Sequence, residues 1–145
     1  MHAPEEHHRR LERMYLRAPI NAIYTPSIAI NDSAADVSVI VVPAFHHAAH
    51  ALHGSVYFKC LDDAAFFAAS SVVTDVFLFT VTFNVVLLRP VSEGVITATG
   101  RLVHRTRNLL VAEAELYSAD QKVVARGSGT FMRSTIALTP ALGYE

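Results

Sequence analysis

A chain of 145 residues with 52% hydrophobic residues can form one domain with a proper core, and with only 17% charged residues it carries more apolar surface than so small a domain readily hides, which points to a homo-oligomer. A net charge of −1, with no basic block beyond the short His7-His8-Arg9-Arg10 run, argues against nucleic-acid binding, and the lone Cys60 excludes an intramolecular disulfide and fits a reducing compartment. No apolar run approaches the roughly 18–20 residues of a membrane span, and the polar, mixed-charge start is unlike a signal peptide, so the expectation is a soluble, cytoplasmic protein without membrane contact.

Residues 4–17 have helix-forming composition, with Leu11, Met14 and Tyr15 on one side and charges on the other, and Pro19 supplies a stop. The apolar face covers about one and a half turns, which suits packing against a domain better than lying on a membrane surface; His7 and His8 read as solvated residues of this helix. Residues 23–30 and 36–42 are rich in β-branched side chains and are separated by Asn31-Asp32-Ser33, the pattern of a hairpin. Pro43 ends the second strand. After a histidine-rich loop, residues 54–72 read as a long helix whose apolar residues surround it almost completely, the mark of a buried helix.

From Asp75 onward the period changes to two. In residues 76–87, Phe77, Phe79, Val81, Phe83, Val85 and Leu87 fall on one face; Thr80, Thr82 and Asn84 share the other with Val76, Leu78 and Val86. Residues 95–104, 109–117 and 123–132 follow as three more strands joined by Thr106-Arg107-Asn108 and Ala119-Asp120-Gln121, links short enough for antiparallel neighbours. Gly127 and Gly129 in the last strand suggest a close approach, with the long helix as the expected partner. The fold class expected is α+β: a curved antiparallel sheet of about six strands around one central helix.

This element order, joined to His53-Gly54-Ser55 at the start of the long helix, resembles the hotdog-fold thioesterases, in particular the PaaI-like acyl-CoA branch, over about 125 residues. Members of that branch carry His-Gly-Gly followed, nine residues after the His, by a catalytic acid; Asp62 stands at that distance here. His47 occupies the place of a polar residue, usually Asn, six before the motif His. Thr80 falls where a Ser or Thr helps to hold water, and Leu88-Arg89-Pro90 and Gly129-Thr130-Phe131 match the family's strand endings. The resemblance implies a helix over residues 1–18 ahead of a hotdog domain over residues 19–145. It also implies acyl-CoA as substrate, no cofactor and no metal, and a homodimer, often paired into a dimer of dimers, with sites between subunits. Three departures stand out. Ser55 replaces the second Gly; His47 replaces Asn and brings a titratable donor; and Arg107 stands where the family often has a Gly beside a basic residue near the phosphates of CoA.

Thioester hydrolysis needs an activated water and a donor for the developing oxyanion. The start of a buried helix offers free amides and a positive dipole end, so the Gly54 amide is the candidate oxyanion donor, assisted by His47. Asp62 is the candidate general base or nucleophile, and Thr80 is its water-holding partner. Helix geometry favours Asp62 over Asp63: its neighbours are Phe58, Ala65, Phe66 and Ala69, whereas Asp63 has Lys59 at i−4 as a ready ion pair. An unpaired carboxylate among Phe and Ala is expected to have a raised pKa.

His53 and Ser55 border the site, Phe66 is expected to contact a medium-chain or aromatic acyl group, and Arg107 with Asn108 to contact the CoA moiety. The cluster His46, His47, His50 and His53 lacks a Cys or carboxylate at a familiar ligand spacing, so no metal site is assigned to it. Cys60 reads as a small core residue. The rival reading is a non-catalytic hotdog module that senses acyl-CoA; such sensors lose the acid and usually carry a DNA-binding helical segment. A hotdog dehydratase would look different at the helix entry, with an active-site His far from its acid partner and a characteristic Pro-Gly turn, which is absent here.

Overall fold

A computed structural model of the chain describes residues 3–145. Helix α1 (Pro4–Arg17) opens with Pro at its first turn, Glu5 and Glu6 near its positive end and Arg17 near its negative end, each placed as the helix dipole favours. Leu11, Met14 and Tyr15 form its buried stripe. His7 and His8, expected in solvent, are buried as well. The His7 ring lies between the Tyr144 hydroxyl (2.7 Å) and the Ser70 carbonyl (2.9 Å), and His8 Nε2 lies 3.3 Å from the Ser71 carbonyl.

A one-turn helix, α2 (Asn21–Tyr24), takes the place of the first half of the expected strand. The Asn21 amide donates to the Tyr15 carbonyl at 2.8 Å, and Thr25 at φ 44° reverses the chain before Pro26, which cannot donate to a ladder. Strands β1 (Ser27–Asn31) and β2 (Ala34–Val41) then form the hairpin, and Pro43–Phe45 makes a single 3₁₀ turn. Helix α3 (Gly54–Ser70) is followed by β3 (Val76–Leu87), β4 (Gly94–Arg105), β5 (Leu109–Tyr117) and β6 (Val123–Ala137).

All pairings are antiparallel, in the order β1-β2-β4-β5-β6-β3. After α3 the chain runs to the far edge to lay down β3, then returns to the middle. The inward residues of the sheet, among them Val37, Val39, Ile96, Ala98, Leu110, Ala112, Leu116 and Phe131, close over Val56, Cys60, Leu61 and Ala64 to Ala69 of α3. This is the six-stranded hotdog arrangement expected from the sequence.

Helix and sheet pack backbone against backbone at Gly100 of β4. A Cβ there would overlap the Ala64 carbonyl and sit 2.8 Å from the Ala65 nitrogen. Gly127 and Gly129, expected to admit the helix, instead admit the ring of Phe83 from the neighbouring β3. Nor does β3 alternate strictly. Its register against β6 slips between Thr80, opposite Phe131, and Thr82, opposite Thr130, so Val81 is an extra residue. Leu78 and Thr80 face the helix before this bulge, and Phe83 and Val85 face it afterwards, a division that strict period two does not allow.

Candidate active site

The start of α3 carries one half of the expected site. His53 is its N-cap: ring Nδ1 accepts from the Ser55 amide at 3.0 Å and lies 2.7 Å from the Ser55 hydroxyl. With Nδ1 accepting, the neutral ring carries its proton on Nε2. The Gly54 amide has no hydrogen-bond partner among the described residues and stands at the positive end of the helix. His47 is exposed beside it; its Nδ1 accepts from the Ala49 amide at 3.1 Å, leaving Nε2 as its outward donor. His47, Gly54, Tyr57 and residues 87–90 line a small cavity of about 290 Å³. The histidines do not follow a helical spacing, since the loop turns at His50 (φ 63°), and His46 reaches away to the Ser92 carbonyl at 2.8 Å.

The other half lies two turns further along. Asp62 Oδ1 accepts from the Thr80 hydroxyl at 2.9 Å, so the carboxylate and the β3 hydroxyl are brought together. Burial pushes the Asp62 carboxyl up from 3.8 to about 6. The Thr80 hydrogen bond opposes this, the neighbouring Asp63 adds to it, and Lys59 offsets part of it. Asp63 is differently engaged: its Oδ2 accepts from Lys59 Nζ and from the Tyr15 hydroxyl, both at 2.7 Å. The Cys60 thiol, one turn before Ala64 in the core, is buried and pushed up to about 12, the behaviour of a packed residue and not of a nucleophile.

Asp62 and Thr80 sit on the wall of a cavity of about 820 Å³ between α3, β3, the end of α1 and the C-terminal segment. Its apolar lining includes Phe66, Phe67, Phe77 and Phe79; the Phe66 ring stands edge-on to Phe67 at 4.9 Å, tilted against Phe77 at 5.4 Å and edge-on to the buried Phe131 at 5.9 Å, ring centre to ring centre. Arg107 and Asn108 do not reach it. They lie exposed on the β4–β5 hairpin, lining a separate polar cavity of about 370 Å³ with Arg105 and Arg133.

Gly54 and Asp62 are eight residues apart on one helix, about 12 Å along its axis, and open into different cavities. Within one chain, therefore, the amide that would receive an oxyanion and the carboxylate that would activate water do not address the same point. A comparison with family models matches residues 49–125, the span holding both halves, to the thioesterase superfamily. The chain belongs to that superfamily.

The same fold recurs in solved structures. The Escherichia coli PaaI protein from the phenylacetic acid degradation operon superposes with a TM-score of 0.85 at 21% identity, covering 94% of this chain and 99% of that one. A phenylacetic acid degradation-related protein of Ralstonia eutropha gives 0.77 at 24% identity, covering 87% and 98%. A Haemophilus influenzae thioesterase gives 0.76 at 18%, covering 83% and 85%. No curated protein matches the chain.

Two residues beside the candidate site escape sequence reasoning. Tyr15, read only as an apolar residue of the first helix, reaches Asp63 across a separation of 48 residues, and nothing in local spacing announces it. Tyr24, read as part of a strand, stacks beside Lys59. No helix among the described residues is long and apolar enough to cross a membrane.

Proposed function

We propose that the protein hydrolyses acyl-CoA thioesters at a site shared between two copies of the chain. The observation that carries this is Asp62: a carboxyl that ionises near 6, held by Thr80, on the wall of a mostly apolar cavity large enough for an acyl group. In this reading the Gly54 amide and His47 of one copy polarise the thioester carbonyl and receive the oxyanion. Asp62 of the other copy takes a proton from water held with Thr80, or attacks the carbonyl directly to give an anhydride that water then opens. The tetrahedral adduct expels the CoA thiolate, which is protonated, and the fatty or aryl carboxylate leaves.

The edge strand β3 supports the two-copy arrangement. Its outer side is unpaired within the chain and displays Phe79 and Val81, each about half exposed (51% and 52%), beside the bulge that presents Thr80. A second copy seated along this edge supplies the missing half-site, and two such dimers pair into a tetramer. His53 and Ser55 border the thioester, and Phe66 meets the acyl group. Arg107, with Arg105 near it, offers charge for the phosphates of CoA, and Asn108 a side-chain amide donor. The aromatic cluster favours an aryl or medium-chain acyl group, in keeping with relatives named for phenylacetic acid degradation. A helical segment ahead of the hotdog domain is the reading for residues 1–18, of which the first two lie outside the described residues, with the domain over residues 19–145, and a CoA ester as substrate fits a cytoplasmic protein.

The test is thiol release from a panel of short, long and aromatic acyl-CoAs, comparing wild type with Asp62→Asn. A fall of at least about 10²-fold in a folded variant supports the assignment. Binding of acyl-CoA with no turnover by wild type would instead make the protein a sensor.

A further inference from the structure

Two carboxylates stand side by side on α3, and they are treated oppositely. Asp62 turns toward β3 and, among the described residues, accepts from the Thr80 hydroxyl alone. Asp63, about 100° further round the helix, turns toward α1, where Lys59 Nζ and the Tyr15 hydroxyl both bond to the same oxygen. The clamp is well shielded: the side chains of Lys59 and Asp63 are 11% and 17% exposed. The Lys59 ammonium lies 5.3 Å from the Tyr15 ring centre and 5.0 Å from that of Tyr24, so both elements before β1 close over it. Burial, and then the Asp63 charge, push the Tyr15 phenol far above its ordinary range, so it remains a protonated donor. Tyr15, Lys59, Asp62 and Asp63 all line the same 820 Å³ cavity, yet the hydrolytic steps use only Asp62.

We propose that Tyr15 and Lys59 are positioning residues that fasten Asp63 in place as a fixed negative charge beside Asp62, so that helix α1 governs when the reacting carboxylate releases its proton. The proposal rests on Asp62 being the base of the site. Its physical content is a charge inventory around that group. From α3, Asp63 disfavours ionisation of Asp62 and Lys59 favours it. From α1 come Tyr15, neutral, and Arg17, which is engaged by Glu145. From β3 comes Thr80, which does not titrate in this range, and the turn Pro140–Leu142 brings no titratable group. Cys60, with its thiol pushed up to about 12, stays neutral. Within one chain the balance at Asp62 therefore depends on how firmly Lys59 and Tyr15 hold Asp63; the other titratable group of the shared site, His47 of the second copy, is left unchanged in every variant below.

Two readouts decide it: the pH profile of kcat/KM on the best acyl-CoA of the panel, and the carbon-13 titration of the Asp62 carboxyl, assigned by its loss in Asp62→Asn. Asp63→Asn removes the neighbouring anion and is expected to move both midpoints down by about one pH unit. Lys59→Met removes the cation and leaves the anion, moving both up. Tyr15→Phe withdraws one donor from Asp63 and gives a smaller upward move. Thermal melting verifies folding, and because the first two shifts are opposite in sign, either folded variant suffices. Midpoints that stay at the wild-type value in the folded variants overturn the proposal and reduce the clamp to a structural tie. If the carboxyl shifts as expected while wild type hydrolyses no acyl-CoA, the clamp stands and the assigned activity falls.

Discussion

Replacing Asp62 with Asn is expected to make the protein more stable as it makes it inactive. The carboxyl is moved from 3.8 to about 6, a displacement of about two units. At about 1.4 kcal/mol per unit this is about 3 kcal/mol of folding free energy given up at neutral pH; allowing for the water the group still meets leaves about 2 kcal/mol. The sign is fixed by which state ionises first. Below 3.8 the group is neutral in both folded and unfolded chains and nothing is lost; between 3.8 and about 6 the unfolded chain releases its proton first, so stability falls as pH rises; above about 6 the full cost stands. Asn keeps the shape and an oxygen for the Thr80 hydroxyl but carries no charge. Thermal melts at pH 4 and pH 7.5 are the assay. Melting temperatures near those of wild type at the lower pH, with the variant higher by roughly 4–8 °C at the upper, are the expected result. An Asn variant that is no more stable than wild type at pH 7.5, or whose advantage is the same at both pH values, would refute the claim that Asp62 is held ionised against its surroundings.

Thr80→Val removes the hydrogen bond that favours the charged form of Asp62, so the acid limb of the rate profile is expected to move upward from about 6, with a turnover loss of at least about 10-fold at neutral pH. Gly100→Ala places a methyl group against the backbone of α3; a loss of about 3 kcal/mol, read as a melting temperature lower by roughly 10 °C, is expected, and an unchanged melt would mean that helix and sheet separate freely. Mixing inactive Asp62→Asn with inactive His47→Ala subunits under exchange is expected to restore about a quarter of wild-type activity, since half the dimers are mixed and each has one intact site. No recovery would place both halves of the chemistry in one chain.

What the sequence discloses is what repeats locally. The extents of β3 and β5 and the start of α3 follow directly from long periodic runs, and so does the pairing of Lys59 with Asp63, because i and i+4 meet on any helix. What it hides depends on contacts distant in the chain. His7 and His8 have the composition of a wet helix face, and only the Ser70, Ser71 and Tyr144 partners show that the face is covered. Gly127 and Gly129 announce that something comes close, but a ring from the next strand and a helix leave the same signature. Ile23 and Tyr24 have strand propensity that is overridden by the Asn21 tie to Tyr15 and by Pro26. Within the candidate site, Asp62, Thr80, Gly54 and His47 are nameable from spacing and resemblance, whereas the reach of Tyr15 across 48 residues is not.

The extra residue in β3 sets an unusual rule for mutational drift at position 81. The Val81 side chain is half exposed and takes no part in the core, so within the single chain a wide range of residues can stand there at little cost in stability. Its deletion is expected to cost as little. With one residue fewer the strand alternates without interruption, and Thr80 and Phe83, then two places apart, still point the same way, opposite Phe131 and Gly129. The hydroxyl stays on Asp62 and the Phe83 ring stays over Gly127 and Gly129. A codon lost at this place therefore only straightens the strand, whereas one lost between Leu78 and Thr80 would turn those two to opposite faces and set the fold's packing against its chemistry.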